Sequence, residues 1–373
     1  MKILYGVQAT GQGHISRARA MAAALALYDL EVTWLFSGRP RQALFDMEPF
    51  GNFQHRRGLS FATRAGRIRY RATLQSNNLP EFMRDVRTLD VDRYDAIVTD
   101  YEPVTAWAGR RAGVRTIGIG HQYAFGPGTP RAGHRWWTEC LMRNFAPVSV
   151  PLGLHWHPYA DNVLPPILDL PDLPVEEGKH ILVYLPFEDQ EAVTGLLRRF
   201  TDHQFVQYAN GIASESRGNV LRQQANIQGF KRHLAASSGV ICNSGFELIS
   251  ECLQWGKPIL TKPLAGQMEQ LSNALALRQL DYATTVTDTG VATVGAWLRS
   301  RRPSPKLRFP DVAPAVARWL AKGGAAAPAK LAASLWSCHE GCTAGSGRAE
   351  SGAASREPVR PSLRKLGQNL QIS

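Results

Sequence analysis

The sequence predicts an α/β protein made of two doubly wound halves that face each other across a cleft. Three observations predict it. The chain has 373 residues, more than a single core usually holds. Short apolar strands alternate with helix-forming stretches twice along its length. A proline-rich segment separates the two series.

The first series opens with the apolar strand Lys2 to Val7, then Gly11-Gln12-Gly13-His14, then an Ala-rich helical stretch from Ser16 to Leu27. Glu31 to Phe36 is a second strand, and strand, Gly-rich turn, helix, strand is how a doubly wound domain begins. Asp95 to Thr99 is a buried strand ending at Asp100-Tyr101-Glu102-Pro103. Trp107 to Ala112 reads as helix, and Arg115 to Ile119 as a strand ending at His121-Gln122. From Pro147 to Pro174 prolines remove backbone donors and block helix, so the expectation is a domain spanning 1–150 and a connection over 151–175.

The second series starts with strand His180 to Leu185, helix Gln190 to Phe200 and strand Gln204 to Tyr208. Strands Gly239 to Asn243 and Lys257 to Pro263 continue it, with helices over Phe246 to Gln254 and Glu269 to Leu280. This makes 176–322 a second domain and the pair two facing Rossmann-like domains. Beyond about Gly323 the Ala/Gly/Ser-rich composition offers little apolar periodicity, so 323–373 reads as a disordered tail. Within it, Cys338-His339-Glu340-Gly341-Cys342 lacks the second ligand pair of a zinc site.

Composition narrows the class. Five cysteines, odd in number and unevenly spaced, argue against a disulfide scaffold and fit a reducing cytoplasm. The N-terminus shows no signal-peptide pattern. The longest apolar run, Ala20 to Leu27, is far short of the ~18 residues of a membrane span. The expected location is cytoplasmic, with peripheral attachment to the inner membrane face left open. A net charge of +12 favours anionic partners. It gathers at Arg56, Arg57, Arg64, Arg67, Arg69 and Arg71, in a stretch from Gly51 to Pro80 without one acidic residue, and again at Arg299, Arg301, Arg302, Lys306 and Arg308. No aromatic interleaving or zinc-finger spacing accompanies these arginines, so an anionic membrane surface or a phosphorylated ligand is expected rather than nucleic acid.

The segment Val240 to Leu277 holds the densest constellation. A buried strand ends at Asn243, and Ser244-Gly245 turns into a helix. Small residues there let backbone N–H groups approach a diphosphate, which the helix dipole favours. Glu251 lies two helical turns further on one face, where a carboxylate can accept both hydrogens of a ribose diol. A second strand-end loop presents Gln267, Glu269 and Gln270, groups suited to sugar hydroxyls. Ligands of open α/β sheets bind beyond the carboxyl ends of strands, where both loops fall.

This block resembles the donor domain of the GT-B glycosyltransferases related to the N-acetylglucosaminyltransferase of lipid II synthesis, and more closely a bacterial and archaeal branch of that group. The branch pattern is similar to Asn-Ser-Gly-Phe-Glu, Ser-Glu, Gly-Lys-Pro, Pro-Leu-x-Gly-Gln-x-Glu-Gln and Asn-Ala in order, matching 243 to 274 nearly throughout. The resemblance implies a UDP-sugar donor with its diphosphate at Ser244-Gly245, its ribose on Glu251 and its sugar near Gln267, Glu269 and Gln270. It also implies uracil at a loop Gly229-Phe230-Lys231, hence Phe230.

Gly11-Gln12-Gly13-His14, followed by Arg17, resembles the first Gly-rich loop of the same family. As a dinucleotide fingerprint it fails, because residue 16 is Ser and no acidic residue closes the second strand. The expectation is that Gly11 and Gly13 place backbone against substrate, and that His14 takes a proton from the acceptor hydroxyl. Asp100 would orient it, with Glu102 next in line and His121 a rival base. Asp90-Val91-Asp92 has a metal-binding form but precedes its strand, so it reads as a turn, and no metal or other cofactor is expected. The acceptor is expected to be small or lipid-linked, and the resemblance implies inversion. A nucleotide-sugar epimerase or hydrolase, and a non-catalytic nucleotide-sugar-binding protein, stay open as alternatives.

Overall fold

A computed structural model describes residues 1–60, 63–64, 67–68, 73, 75–133 and 136–344, with side chains left aside at 63–64, 67–68 and 339–344. Arg69 and Arg71 of the basic stretch, and residues 345–373, lie outside the described residues, as do the side chains of Arg64, Arg67 and Cys342.

Two seven-stranded sheets form the frame. In the first, β1 (Lys2–Gln8), β2 (Glu31–Ser37), β3 (Gln54–His55), β4 (Ala96–Asp100), β5 (Thr116–Gly120), β6 (Val150–Leu154) and β7 (Val163–Leu164) lie in the order β3-β2-β1-β4-β5-β6-β7, all parallel. The order reverses direction between β1 and β4, which pair with Val7 opposite Asp100. In the second sheet, β8 (His180–Tyr184), β9 (Gln204–Ala209), β10 (Glu215–Arg217), β11 (Val220–Gln224), β12 (Ser237–Asn243), β13 (Ile259–Lys262) and β14 (Thr284–Thr285) run β10-β11-β9-β8-β12-β13-β14. Only β10 is antiparallel. Here the reversal falls between β8 and β12, with Tyr184 opposite Cys242. Each reversal opens a crevice at the carboxyl ends of its strands. The strands read as near-continuous apolar runs because helices cover both faces: β4, β5 and β12 are buried at every residue.

The helices are α1 (Gln12–Leu25), α2 (Leu79–Thr88), α3 (Pro103–Ala112), α4 (Trp136–Phe145), α5 (Gln190–Leu197), α6 (Ile227–Ala235), α7 (Phe246–Trp255), α8 (Met268–Gln279), α9 (Val291–Ser300), α10 (Val312–Ala321) and α11 (Pro328–Ala344). Among the described residues no helix is long and apolar enough to cross a membrane. The termini of α3 show how local sequence sets an element. Pro103 opens the first turn, Glu102 accepts from Val104 N–H and Thr105 N–H, and Gly113 closes it in the left-handed region at φ 70°.

Two boundaries differ from the sequence expectation. The stretch assigned to the connection contributes β6 and β7 to the first sheet, so the proline-rich link begins after Leu164. Pro151 fits inside β6 because its neighbour on that side contributes only two residues. The tail expectation is also corrected. Residues 328–344 form α11, which buries Ala332, Leu335 and Trp336, and the Trp336 indole N–H donates to Val163 O at 2.7 Å. Three positions at helical spacing anchor it, too few to stand out from an Ala-rich background. Arg115 donates to Gly324 O at 2.5 Å and to Gly323 O, and α10 packs on α1, so the chain returns to the first half after finishing the second. One apolar cluster consequently runs through both halves, from Ile3 and Trp156 to Val240, Phe246 and Trp336.

Candidate active site

The cleft between the sheets has a volume of about 370 Å³, a size suited to a small ligand. Nine residues expected there line it: Gly11, Gly13, His14, Phe230, Gly245, Glu251, Gln267, Glu269 and Gln270. Asp100 and Ser244 lie directly behind the wall, fully buried.

On the first half, α1 starts at Gly11 with no side-chain cap, and His14 rises from its first turn. His14 Nδ1 is 2.7 Å from Asp100 Oδ1, at the end of β4. In the tautomer with its hydrogen on Nδ1, the carboxylate accepts that hydrogen and Nε2 is the basic nitrogen. The turn after β4 sets this aim. Tyr101 sits at φ 54°, unusual for a residue with a side chain, so that Asp100 faces α1 while Glu102 turns back onto α3. Glu102, the second candidate partner, is therefore a cap: it accepts from Val104 N–H, Thr105 N–H, the Thr105 hydroxyl and the Ser37 hydroxyl. His121, the other candidate base, also lines the cleft, with both ring nitrogens already near acceptors. It is 1% exposed, with Nδ1 2.8 Å from Leu154 O and Nε2 2.6 Å from Asn273 Oδ1, and it stacks on Phe246 at 4.1 Å. Burial holds its pKa down.

Arg17, one turn beyond His14, is buried beneath both. It donates Nε to Asp100 Oδ2 at 2.7 Å and Nη2 to Asp100 Oδ1 at 2.6 Å. Burial alone would raise the Asp100 carboxyl, but Arg17 and His14 outweigh it and hold Asp100 below its ordinary value. Arg17 also gives Nη1 to Glu247, on the opposite half. Burial pushes Glu247 up to about 8, against the pull of Arg17. Both residues stand within sequence motifs, but nothing local gives either of them a role. A pair 230 positions apart leaves no periodic signal.

On the second half, α7 starts at Gly245 and α8 at Gln267, neither with a side-chain cap. Ser244 does not supply the anion donors expected of it. Its N–H goes to Lys262 O at 3.2 Å and its hydroxyl meets Thr261 Oγ1 at 2.9 Å. Gly245 N–H goes to Asn243 O, so the first-turn N–H groups from Phe246 onward are those a helix leaves free. Glu251, 4% exposed, is held by Lys231 through one oxygen. Phe230 is not in a loop. Asn226 caps α6 ahead of it, and its ring packs on Tyr184 and Tyr208 at 5.4 and 5.2 Å while lining the cleft. Gln270 braces its own loop, its Oε1 accepting from Leu264 N–H at 2.8 Å. Glu269 accepts from Gln122 across the cleft at 3.0 Å. Gln267 Oε1, Asn243 Oδ1, Gln122 Oε1 and both polar atoms of the Gln12 amide are buried with no protein partner. Buried amides normally find one, so these face ligand space.

Among the described residues no group of three or more His, Cys, Asp or Glu could hold a metal, and Asp90 and Asp92 sit at the turn before β4.

A family profile described as Glycosyl transferase family 1 matches residues 1–131 and 157–301. No curated protein sequence matches the chain. Among solved structures, the glycotransferase of kitacinnamycin is similar at 13% identity, covering 89% of this chain and 97% of its own, with a TM-score of 0.53. SsfS6 from Streptomyces sp. SF2575, complexed with thymidine diphosphate, is 15% identical over 90% and 99% with a TM-score of 0.52. Arabidopsis thaliana UGT89C1, complexed with UDP, is 13% identical over 91% and 94% with a TM-score of 0.51. These likenesses establish the fold: two Rossmann-like domains in the GT-B arrangement.

Proposed function

The chain belongs to glycosyl transferase family 1, and from that premise we propose that it moves a sugar from UDP to a hydroxyl of a small or lipid-linked acceptor. The observation that carries the reading is the His14–Asp100 pair at 2.7 Å, opening on the cleft that Gly245, Glu251 and Gln267 line from the other half. His14 Nε2 accepts the acceptor's proton as its oxygen attacks the anomeric carbon. The bond from that carbon to the diphosphate oxygen breaks, and its electrons leave with UDP. Attack opposite the leaving group inverts the centre. The diphosphate sits at the start of α7, where the helix dipole and free N–H groups stabilise it. Ribose bonds the Glu251 oxygen that Lys231 leaves open, and the sugar meets Gln267 and Glu269. Two proteins of the same fold hold nucleoside diphosphates, one thymidine diphosphate and one UDP, which supports a nucleoside-diphosphate-linked donor.

Transfer by this route needs no metal. Activity lost in EDTA and restored by manganese would overturn that part. The basic stretch around Arg56 and Arg57 supports an anionic lipid surface at the acceptor side, and flotation with vesicles at low salt tests it: no preference for anionic lipid removes that support. The central test is a thermal-shift screen of UDP-sugars. A donor at a hundred times its Kd stabilises by about 2.7 kcal/mol. If no UDP-sugar shifts the wild-type transition and Glu251→Ala behaves identically, the donor reading is wrong.

A further inference from the structure

The cluster beneath His14 reaches across the cleft. Arg17, on α1 of the first half, gives two of its nitrogens to Asp100 and the third, Nη1, to Glu247 in the first turn of α7. The first turn of α1, which carries His14, is shaped for that carboxylate. A Cβ placed on Gly13 would lie 2.6 Å from Glu247 Cγ, whereas one placed on Gly11 would meet nothing within 4 Å. Gly13 thus lets the second half close onto the first, whereas Gly11 faces open space. Arg17 Nη2 is also 3.0 Å from His14 Nδ1. A small movement of the guanidinium would therefore change which group His14 Nδ1 faces.

We propose that Glu247 is a positioning residue for sugar transfer: by holding Arg17 from the donor half, it makes the alignment of Asp100 and His14 depend on that half being docked. The inference rests on His14 being the base. It ties the base to the helix on which the donor diphosphate sits, so the acceptor is deprotonated only when the donor half is in place. Activation of water in an opened cleft is suppressed by the same link.

The test uses the full chain with Glu247→Ala, Glu247→Gln and Gly13→Ala. Three quantities are read: UDP binding by titration calorimetry, UDP released from a UDP-sugar with water as acceptor, and hydrogen exchange of backbone amides 11–18. For Glu247→Ala the expected result is exchange at 11–18 faster by about tenfold, with UDP release slower by a similar factor. UDP affinity stays at the wild-type level. Glu247→Gln, which still accepts from Arg17, restores protection and most of the release. Gly13→Ala, pressing on Glu247 from the other side, reproduces the Ala variant and replaces it if that variant fails to fold. Wild-type exchange and release in Glu247→Ala would overturn the proposal. So would a loss of UDP affinity as large as the loss of release, which would make Glu247 a ligand contact. If wild type binds no UDP, the donor reading fails, and the exchange comparison alone decides whether Glu247 holds Arg17.

Discussion

The two halves share a doubly wound plan and use it oppositely. In both sheets the strand order reverses beside the first strand, and a helix starts there on a glycine without a side-chain cap. At the first reversal the charged groups are mutually engaged: His14, Asp100 and Arg17 form a cluster that Glu247 completes from the other half, with Asp100 fully buried, while the Gln12 amide beside them has no protein partner. At the second, Asn243 and Gln267 keep buried amide oxygens without partners. A group that must act as a base needs its orientation and charge set before substrate arrives, which favours a completed network. Groups that recognise a ligand must leave their bonds for the ligand. The same crevice thus serves preorganised chemistry on one side and recognition on the other.

If that contrast is right, changes on the first side cost stability and turnover, and changes on the second cost affinity. The largest effect is expected from Asp100→Ala, which leaves Arg17 buried without its main counter-charge. Breaking a buried pair destabilises by about 3–5 kcal/mol, readable by urea denaturation together with loss of turnover. A loss no larger than that of a surface substitution would break the comparison. His14→Ala comes next: its side chain is mostly buried and bonds Asp100, so a stability loss smaller than that of Asp100→Ala is expected. Turnover should fall about 10²–10⁴-fold, measured at saturating donor. Unchanged turnover would remove His14 as the base.

Gln267→Ala should be smaller and of the other kind. One lost hydrogen bond of about 0.5–1.5 kcal/mol weakens UDP-sugar binding some 2–10-fold, with no change for UDP alone and none in the unfolding midpoint. A drop in unfolding midpoint would show that Gln267 braces the fold instead.

A pair of opposite pH slopes is also expected. Asp100 is held below 3.8, so the stability it contributes is present above that value and lost only as acid protonates the folded state. Glu247 is raised from 4.5 to about 8, so the folded chain keeps a proton the unfolded chain has released, and stability declines as pH rises between those values. Arg17, Asp100, Glu251 and Lys231 are the charged groups acting on it. Denaturation across that window should show the decline in wild type and a flatter profile in Glu247→Gln. Equal slopes would mean that Glu247 ionises as an ordinary exposed carboxylate.

Both crevices were legible in the sequence because their parts are local. A strand of apolar residues, a glycine turn and a helix start fall within a dozen positions, and Glu251 follows Ser244 at a spacing that helix geometry alone interprets. The His14–Asp100 pairing was legible too, since parallel strands leave their carboxyl ends at one edge. Other features were not. Nothing local marks that Ser244 directs its hydroxyl to Thr261, that Phe230 lies within a helix, or that Trp336 brings the last helix back to Val163.

The amino-acid sequence by itself therefore determined the class of fold, the two switch-point crevices and the residue types offered at each. These follow from backbone stereochemistry and hydrophobic periodicity, which act over a few residues. Only the tertiary structure decided which of those residues are engaged and which are free. Arg17 meets Glu247 across 230 positions because two separately wound sheets dock with Gly13 at their point of contact. Such a contact depends on how whole layers pack, and packing couples residues that share no local pattern.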